Sequence, residues 1–350
     1  MKSGPTVREG LILVVHGAEI FDSGTAGWLI KRLHPARTIV AGVMARTAAE
    51  ESGLPLEFTG SPPSMTIRPL PGQVAFGDLA KTPESGRIFG NIIASRLEGR
   101  GLIQIECSNN TVMIWDEGDR TLASAISTAI GFPCKYLSST RVTGSTQRKI
   151  GGCLPGESVF VNGIIVGRAT EGTVVLRSDG SSVEVVSGLD PKEPGLDKLR
   201  GSCPDLGAAW CKSGPIRRAA PAGAWRSSVS SGRVAVIDHC GHKIYEAIWG
   251  DCCGVLAVGD DTTAVCGHIC AHRGIPVLGI TDGDLDEALP PAFAPGSVVL
   301  ETRRERDDDL GKEISSMIGP GPVVWDDWVK EVVGRFGERV RVVIDRREIA

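Results

Sequence analysis

Residues 11–15 (LILVV) form an unbroken run of five apolar side chains. A strand with one face in water alternates apolar and polar positions, so a run without alternation belongs to a strand covered on both faces, as in a parallel sheet flanked by helices. The pattern returns at residues 234–237 (VAVI), 254–258 (GVLAV) and 276–280 (PVLGI). Helical spacing lies between such runs: Trp28, Leu29 and Leu33 share one face of a helix expected over residues 24–33, with Asp22 or Ser23 as its cap. This βαβα rhythm predicts an α/β fold.

The chain is 350 residues long, more than one compact core accommodates. A first α/β domain is expected over residues 1–149, with further strands at 38–43, 102–106 and 111–115 and helices at 84–97 and 121–130. Residues 61–77, rich in Pro and Gly, read as an irregular excursion. Over residues 150–190 the pattern changes to four short strands, at 158–161, 164–167, 173–177 and 182–186. Asn162-Gly163 and Asp179-Gly180 mark hairpin turns between them. This small β-rich insert reads as a spacer or assembly surface. The third part, residues 191–350, begins with a loop-rich connector and returns to the α/β rhythm at residue 234. The fold expected is two open, mostly parallel, Rossmann-like α/β domains with the β-rich insert between them.

A formal charge of −4 argues against extended nucleic acid as a partner, since phosphate-backbone binding is driven by clustered Lys and Arg. A small molecule or nucleotide is the expected ligand, and a homo-oligomer is compatible with it. No apolar run reaches the ~18 residues that span a bilayer. Residues 1–10 lack the apolar stretch of a signal peptide, so a cytoplasmic protein without membrane contact is expected. The ten cysteines include no C-x-x-C spacing and read mostly as small buried hydrophobes.

Ligands of parallel sheets bind beyond the carboxyl ends of the strands. In the C-terminal part those ends are acidic: Asp238 after VAVI, Asp260 and Asp261 after VLAVG, and Asp282, Asp284 and Asp286 after PVLGIT. Like charges so grouped oppose joint ionisation. A hard cation such as Mg²⁺ would offset them, held by Asp282 and Asp284 with Asp238 and Asp260 as supporting catalytic acids. Gly259, Asp261, Thr262 and Thr263 open a helix whose free N–H groups suit a phosphate. The alternative is local: Asp260 or Asp261 as a helix cap, and residues 281–284 as a tight turn. The N-terminal domain offers His16 as a catalytic candidate, with Gly17, Glu19, Asp22 and Ser23 as ligand contacts at the loop after its first strand. G-x-G-x-x-G is absent there, against classical NAD binding. Lys81, Thr82, Glu84 and Ser85 open a helix that either binds phosphate or is simply capped.

His268 and His272 have metal-ligand spacing without the H-E-x-x-H glutamate, Asp238-His239 with His242 resembles a metal motif only superficially, and residues 303–309 read as a solvated loop. Cysteine chemistry at Cys107 or Cys240 lacks a recognisable paired base.

The order of the acids resembles the Toprim domain of topoisomerases, primases and small nucleases, in which a D-x-D pair and an earlier glutamate hold Mg²⁺ for phosphoryl transfer. Asp282-Gly283-Asp284 matches the pair, and Asp238 stands at the glutamate's position. Over nearly the whole chain the blocks VVHGAEIFDSG, KTPESGRIFGNIIASRL, PGESVFVNGIIVGRA, VAVIDH, VGDDTTAVCGHI and GIPVLGITDGDLD resemble a family of proteins from methanogenic archaea. That resemblance implies domain order and cellular setting, and no activity. The expected function is Mg-dependent chemistry on a nucleotide or phosphorylated small molecule, with a non-enzymatic small-molecule sensor or assembly factor as the alternative.

Overall fold

The structure is a computed structural model that describes residues 10–140, 146–162, 164–202, 205–207, 209, 211–222, 229–283 and 292–347. The fold is mixed α/β, and the chain divides into two compact units, Met1–Gly214 and Pro215–Ala350.

In the first unit the strands β1 (Ile12–His16), β2 (Arg37–Ala41), β3 (Glu57–Thr59), β4 (Val74–Asp78), β5 (Leu102–Glu106), β6 (Thr111–Trp115) and β7 (Cys134–Leu137) form one sheet in the order β3-β2-β1-β4-β5-β6-β7. Neighbours are parallel except β5 and β6. The apolar run of β1 has the expected cause. Leu13 and Val15 enter a core with Leu29, Leu33 and Ile126, whereas Ile12 and Val14 enter a second core with Phe76, Ile93 and Trp115. Successive side chains point to opposite faces, so a sheet packed on both sides demands an apolar residue at every position. Each such side chain contributes about 1.5–3 kcal/mol on full burial.

Two readings change. Residues 61–77 hold a short helix (Pro63–Ile67) and most of β4, so they are not an irregular excursion. The helix expected over residues 24–33 runs Thr25–Leu33; its cap position is Gly24 at φ +77°, and Ser23 Oγ accepts the N–H of Thr25 at 3.3 Å.

The β-rich part lies within the first unit and extends beyond residue 190. It comprises β8 (Gln147–Gly151), β9 (Ser158–Val161), β10 (Ile164–Ala169), β11 (Thr173–Ser178), β12 (Val183–Ser187), β13 (Leu189–Pro191), a helix (Glu193–Ser202) and β14 (Cys211–Ser213). They form two sheets, β13-β10-β9-β14 and β12-β11-β8, around Val159, Val161, Val166, Val174 and Leu176. Both expected turns join antiparallel partners. Asn162 has φ +50°. Asp179 Oδ1 accepts the N–H groups of Ser181 (2.8 Å) and Ser182 (2.7 Å), which closes the second turn.

The second unit has one sheet, β19-β15-β16-β17-β18-β20, made of β15 (Ser231–Asp238), β16 (Cys252–Val258), β17 (Val277–Thr281), β18 (Val298–Thr302), β19 (Val323–Val324) and β20 (Val340–Asp345). The central four strands are parallel and lie in chain order, and the two edge strands are antiparallel. The helix Trp325–Phe336 buries Trp325, Trp328, Val329, Val332 and Phe336, an i, i+3, i+4, i+7, i+11 stripe, against Leu256, Val258, Leu278 and Leu300. Gly254 in β16 makes room for it: a Cβ there would lie 2.0 Å from the Trp325 ring. Among the described residues no helix is long and apolar enough to cross a membrane.

Candidate functional site

Register decides which acids meet in the second unit. Val258 of β16 pairs with Asp238 of β15 on one side and with Ile280 of β17 on the other, and Ile280 pairs with Leu300 of β18. Asp260 and Asp282 each stand two residues past this common level, on adjacent strands, so their carboxyl groups converge. The backbone N–H of Asp282 donates to Asp260 Oδ2 at 3.4 Å. A third carboxylate arrives from beyond β18, where the helix Asp307–Ser315 begins with Asp307, only 1% exposed. Asp260, Asp282 and Asp307 bring ligand oxygens within 4.8 Å of one another. Burial pushes the Asp260 carboxyl up to about 7, helped by its hydrogen bond and charge interaction with Asp282 and by the charge of Asp307. Asp260 therefore keeps its proton up to near neutral pH in the absence of a cation.

Beside this trio lies a second group. His239 Nδ1 is 2.6 Å from Asp238 Oδ1 and 3.5 Å from Asp308 Oδ1, and the three residues also place ligand-type atoms within 4.8 Å. Arg306 Nη2 donates to Asp308 Oδ2 at 2.7 Å. Asp308 adjoins Asp307, and its N–H donates to Asp307 Oδ1 at 2.9 Å. Gly283 packs on Glu301, whose carboxylate is held by Arg341 at 2.8 Å.

The helix expected to open at Gly259 runs Asp260–Arg273, with Gly259 at φ +104° as its N-cap. Asp260 and Asp261 thus occupy the first turn and neither is the cap. Thr262 and Thr263 are buried. The Thr263 hydroxyl donates to Ala257 O (3.4 Å), and its methyl faces Gly279, where a Cβ would sit 2.3 Å away. Asp284 and Asp286 lie outside the described residues. Among those described, Asp282 groups with Asp260 and Asp307, and Asp238 groups with His239 and Asp308.

Three of these residues, Asp307, Asp308 and His239, escape the sequence reading. Residues 303–309 are not a solvated loop throughout, because Asp307 is buried. The acidic start DDDL suits a helix N-terminus, and that is the signal available in advance. His239 is set aside as a superficial metal motif, yet it is the residue that Asp238 contacts.

The first unit assembles a different group at the carboxyl ends of β1, β4 and β5. Asp78 lies opposite Glu106, and Val15 lies opposite Gly77, so His16, Asp78 and Glu106 stand at one level. Glu106 Oε1 accepts N–H groups of Ser108 (2.9 Å) and Ala80 (3.2 Å). Burial, and then the charge of Glu106, pushes Asp78 well above the usual carboxyl range, and burial raises Glu106 too. His16 Nδ1 is 2.8 Å from Ala41 O, so Nδ1 carries the hydrogen. Its ring lies over Gly42, 3.0 Å from where a Cβ would be, and burial pushes its value down to about 4. A Cβ on Gly17 would lie 3.7 Å from Glu19 Oε2 and 3.8 Å from Asp78 Oδ1, which brings Gly17 and Glu19 to this group. Asp22 and Ser23 are exposed, and Ser23 Oγ bonds Thr25 Oγ1 at 2.8 Å. Lys81 is taken up by Glu157 and by Ser213 Oγ (2.7 Å), while Thr82 and Ser85 form a reciprocal cap on the helix Pro83–Ser95. Asp78 goes unread because its strand lies hidden in the Pro- and Gly-rich stretch. Burial raises the Cys107 thiol, which argues against a thiolate nucleophile there. A shallow pocket lined by Gln73, Arg100 and Asp119 opens at the starts of β4 and β5, the opposite end of the sheet.

A protein of Methanocaldococcus jannaschii is 31% identical over 324 residues, which cover 86% of this chain and 89% of the relative. It is described as uncharacterized. No solved structure matches the chain. A family model described as an uncharacterized protein conserved in archaea matches residues 13–321. By that match the chain belongs to the archaeal DUF2117 family.

Proposed function

We propose that the chain is a divalent-cation-dependent enzyme acting on a nucleotide or another phosphorylated small molecule, with Mg²⁺ at Asp260, Asp282 and Asp307. The observation that carries this reading is the convergence of those carboxylates, from three successive strand ends, within 4.8 Å. Oxygen-only ligands suit a hard cation, which would polarise a phosphoryl oxygen. Asp284 is assigned as a further ligand, which is the Toprim-like form of the proposal. The start of the helix Asp260–Arg273, with Asp261 and Thr262, faces the phosphate in this reading, and Asp238 supports the site from β15. The ligand is dissolved in the cytoplasm.

A second reading has its own support. In the first unit the strand order reverses between β1 and β4, the position at which Rossmann-like sheets bind ligands. His16, Glu19, Asp78 and Glu106 gather there, and the chain would then be a small-molecule sensor without turnover.

The readings separate on the cation. Mg²⁺ at about 100 times its Kd stabilises the folded chain by about 2.7 kcal/mol, and Asp307→Asn abolishes the rise in melting temperature. No shift with Mg²⁺ or Mn²⁺, alone or with a panel of nucleotides, removes the first reading.

A further inference from the structure

We propose that His239 is the catalytic proton acceptor of the acidic site, oriented by Asp238 and Asp308. The proposal rests on the cation-assisted phosphoryl reading above and assigns a residue that the reading leaves without a role. Its basis is the arrangement of the imidazole. Asp238 Oδ1, 2.6 Å from Nδ1, accepts the Nδ1 hydrogen, which leaves the lone pair of the neutral ring on Nε2. Asp308 stands 3.5 Å from the same nitrogen and is itself pinned by Arg306. Two carboxylates on one side of the ring stabilise the imidazolium formed when Nε2 takes a proton.

The opposite edge of the ring faces the trio's backbone. A Cβ on Gly259 would lie 3.0 Å from Nε2, 3.2 Å from Cδ2 and 3.4 Å from Cε1, so the Nε2 edge of the ring lies over Gly259. The next residue is Asp260. Asp308, on the other side, follows Asp307. His239 is thereby bracketed by the immediate neighbours of two of the proposed cation ligands, Asp260 and Asp307. Its side chain is 37% exposed, which admits water. His239 also has φ +49°, a conformation that costs a non-glycine residue energy and here turns the ring back over the strand ends. The first unit supplies a contrast. His16 also lies over a glycine, Gly42, but with its Cε1–Nδ1 edge; its Nδ1 faces a carbonyl, and burial holds the ring neutral.

In the step assigned to His239, Nε2 removes one proton from water as the water oxygen bonds to phosphorus. The bond from phosphorus to the leaving oxygen breaks, and its electron pair departs with that oxygen. The leaving oxygen takes a proton from solvent, and His239 later returns its own to solvent. The products are an alcohol and a phosphate.

The test uses para-nitrophenyl phosphate and bis(para-nitrophenyl) phosphate with the full chain and Mn²⁺, with bound Mn²⁺ counted by electron paramagnetic resonance. His239→Ala is expected to lower kcat about 10²- to 10⁴-fold, with KM and the number of bound Mn²⁺ ions unchanged. Added imidazole is expected to restore part of the rate, and His239→Gln, which keeps the shape without the base, to remain inactive. Full activity in either variant, loss without imidazole rescue, or loss of a bound Mn²⁺ in His239→Ala overturns the assignment. Mn²⁺ bound by the native chain with neither ester cleaved also overturns it, while leaving the cation site standing. Failure of the native chain to bind Mn²⁺ overturns instead the reading beneath it.

Discussion

Replacing Asp282 by Asn tests the raised carboxyl of Asp260 on which the acidic site depends. In the folded chain the Asp260 carboxyl is raised from 3.8 to about 7, first by burial and then by Asp282. Each pKa step corresponds to about 1.36 kcal/mol, so full ionisation of Asp260 without a cation costs about 4 kcal/mol of folding stability. Because the folded-state value exceeds the unfolded one, this stability is fully present below about pH 4 and is lost as pH rises through about 7. Asp282→Asn removes the neighbouring charge and offers an amide N–H to the Asp260 carboxylate, leaving burial and Asp307 to raise its value. The loss between pH 4 and 8 is then expected to fall below the ~4 kcal/mol of the native chain, with the part due to burial remaining. Urea unfolding in chelator-treated buffer across this range measures it, with Trp325 and Trp328 in the core of the second unit as fluorescent reporters. Saturating Mg²⁺ at pH 8 is expected to recover the lost stability in the native chain and not in Asp282→Asn. Equal pH dependence in the two chains, or equal stabilisation by Mg²⁺, refutes the reasoning.

Three further outcomes follow from local geometry. Thr82→Ala removes the acceptor of the Ser85 N–H (3.1 Å) and is expected to destabilise the first unit by about 1 kcal/mol, read from the midpoint of its urea transition. Gly254→Ala places a methyl against the Trp325 ring and is expected to cost about 3 kcal/mol or more, whereas Gly250→Ala, with open space at its Cβ but φ +72°, should cost less; equal effects on the melting temperature would contradict the packing argument. His16, pushed down to about 4 by burial, is expected to show a neutral ring with the hydrogen on Nδ1 across pH 5–8 in nitrogen-15 NMR spectra, and a midpoint near the ordinary 6.5 would contradict that.

Much of the architecture is legible in local pattern. The run at residues 11–15 announces a strand packed on both faces, and the spacing of Trp325, Trp328, Val329, Val332 and Phe336 is that of one helix face, as observed. Acidic residues after the strands of the second unit are equally visible, since a strand that leaves its core for the sheet edge exchanges apolar residues for polar ones. β4 is lost because its neighbours Pro71 and Gly72 dominate any local reading, and with it goes Asp78. Asp307 and His239 are lost for another reason. The run DDDL announces a helix start at Asp307, but nothing within a few residues of Asp307 or His239 says whether the side chain is solvated or held against a partner from another strand end.

Periodicity thus determined where strands and helices form and which faces they bury, because backbone geometry repeats every two or 3.6 residues and burial selects side chains at that repeat. Partnership among the acids was decided only by the folded chain. The register across β15, β16, β17 and β18 joins acids 22 to 70 positions apart, placing Asp260 with Asp282 and Asp307 and leaving Asp238 to His239 and Asp308. Electrostatic coupling falls off with distance in space, and distance along the chain carries almost no information about it.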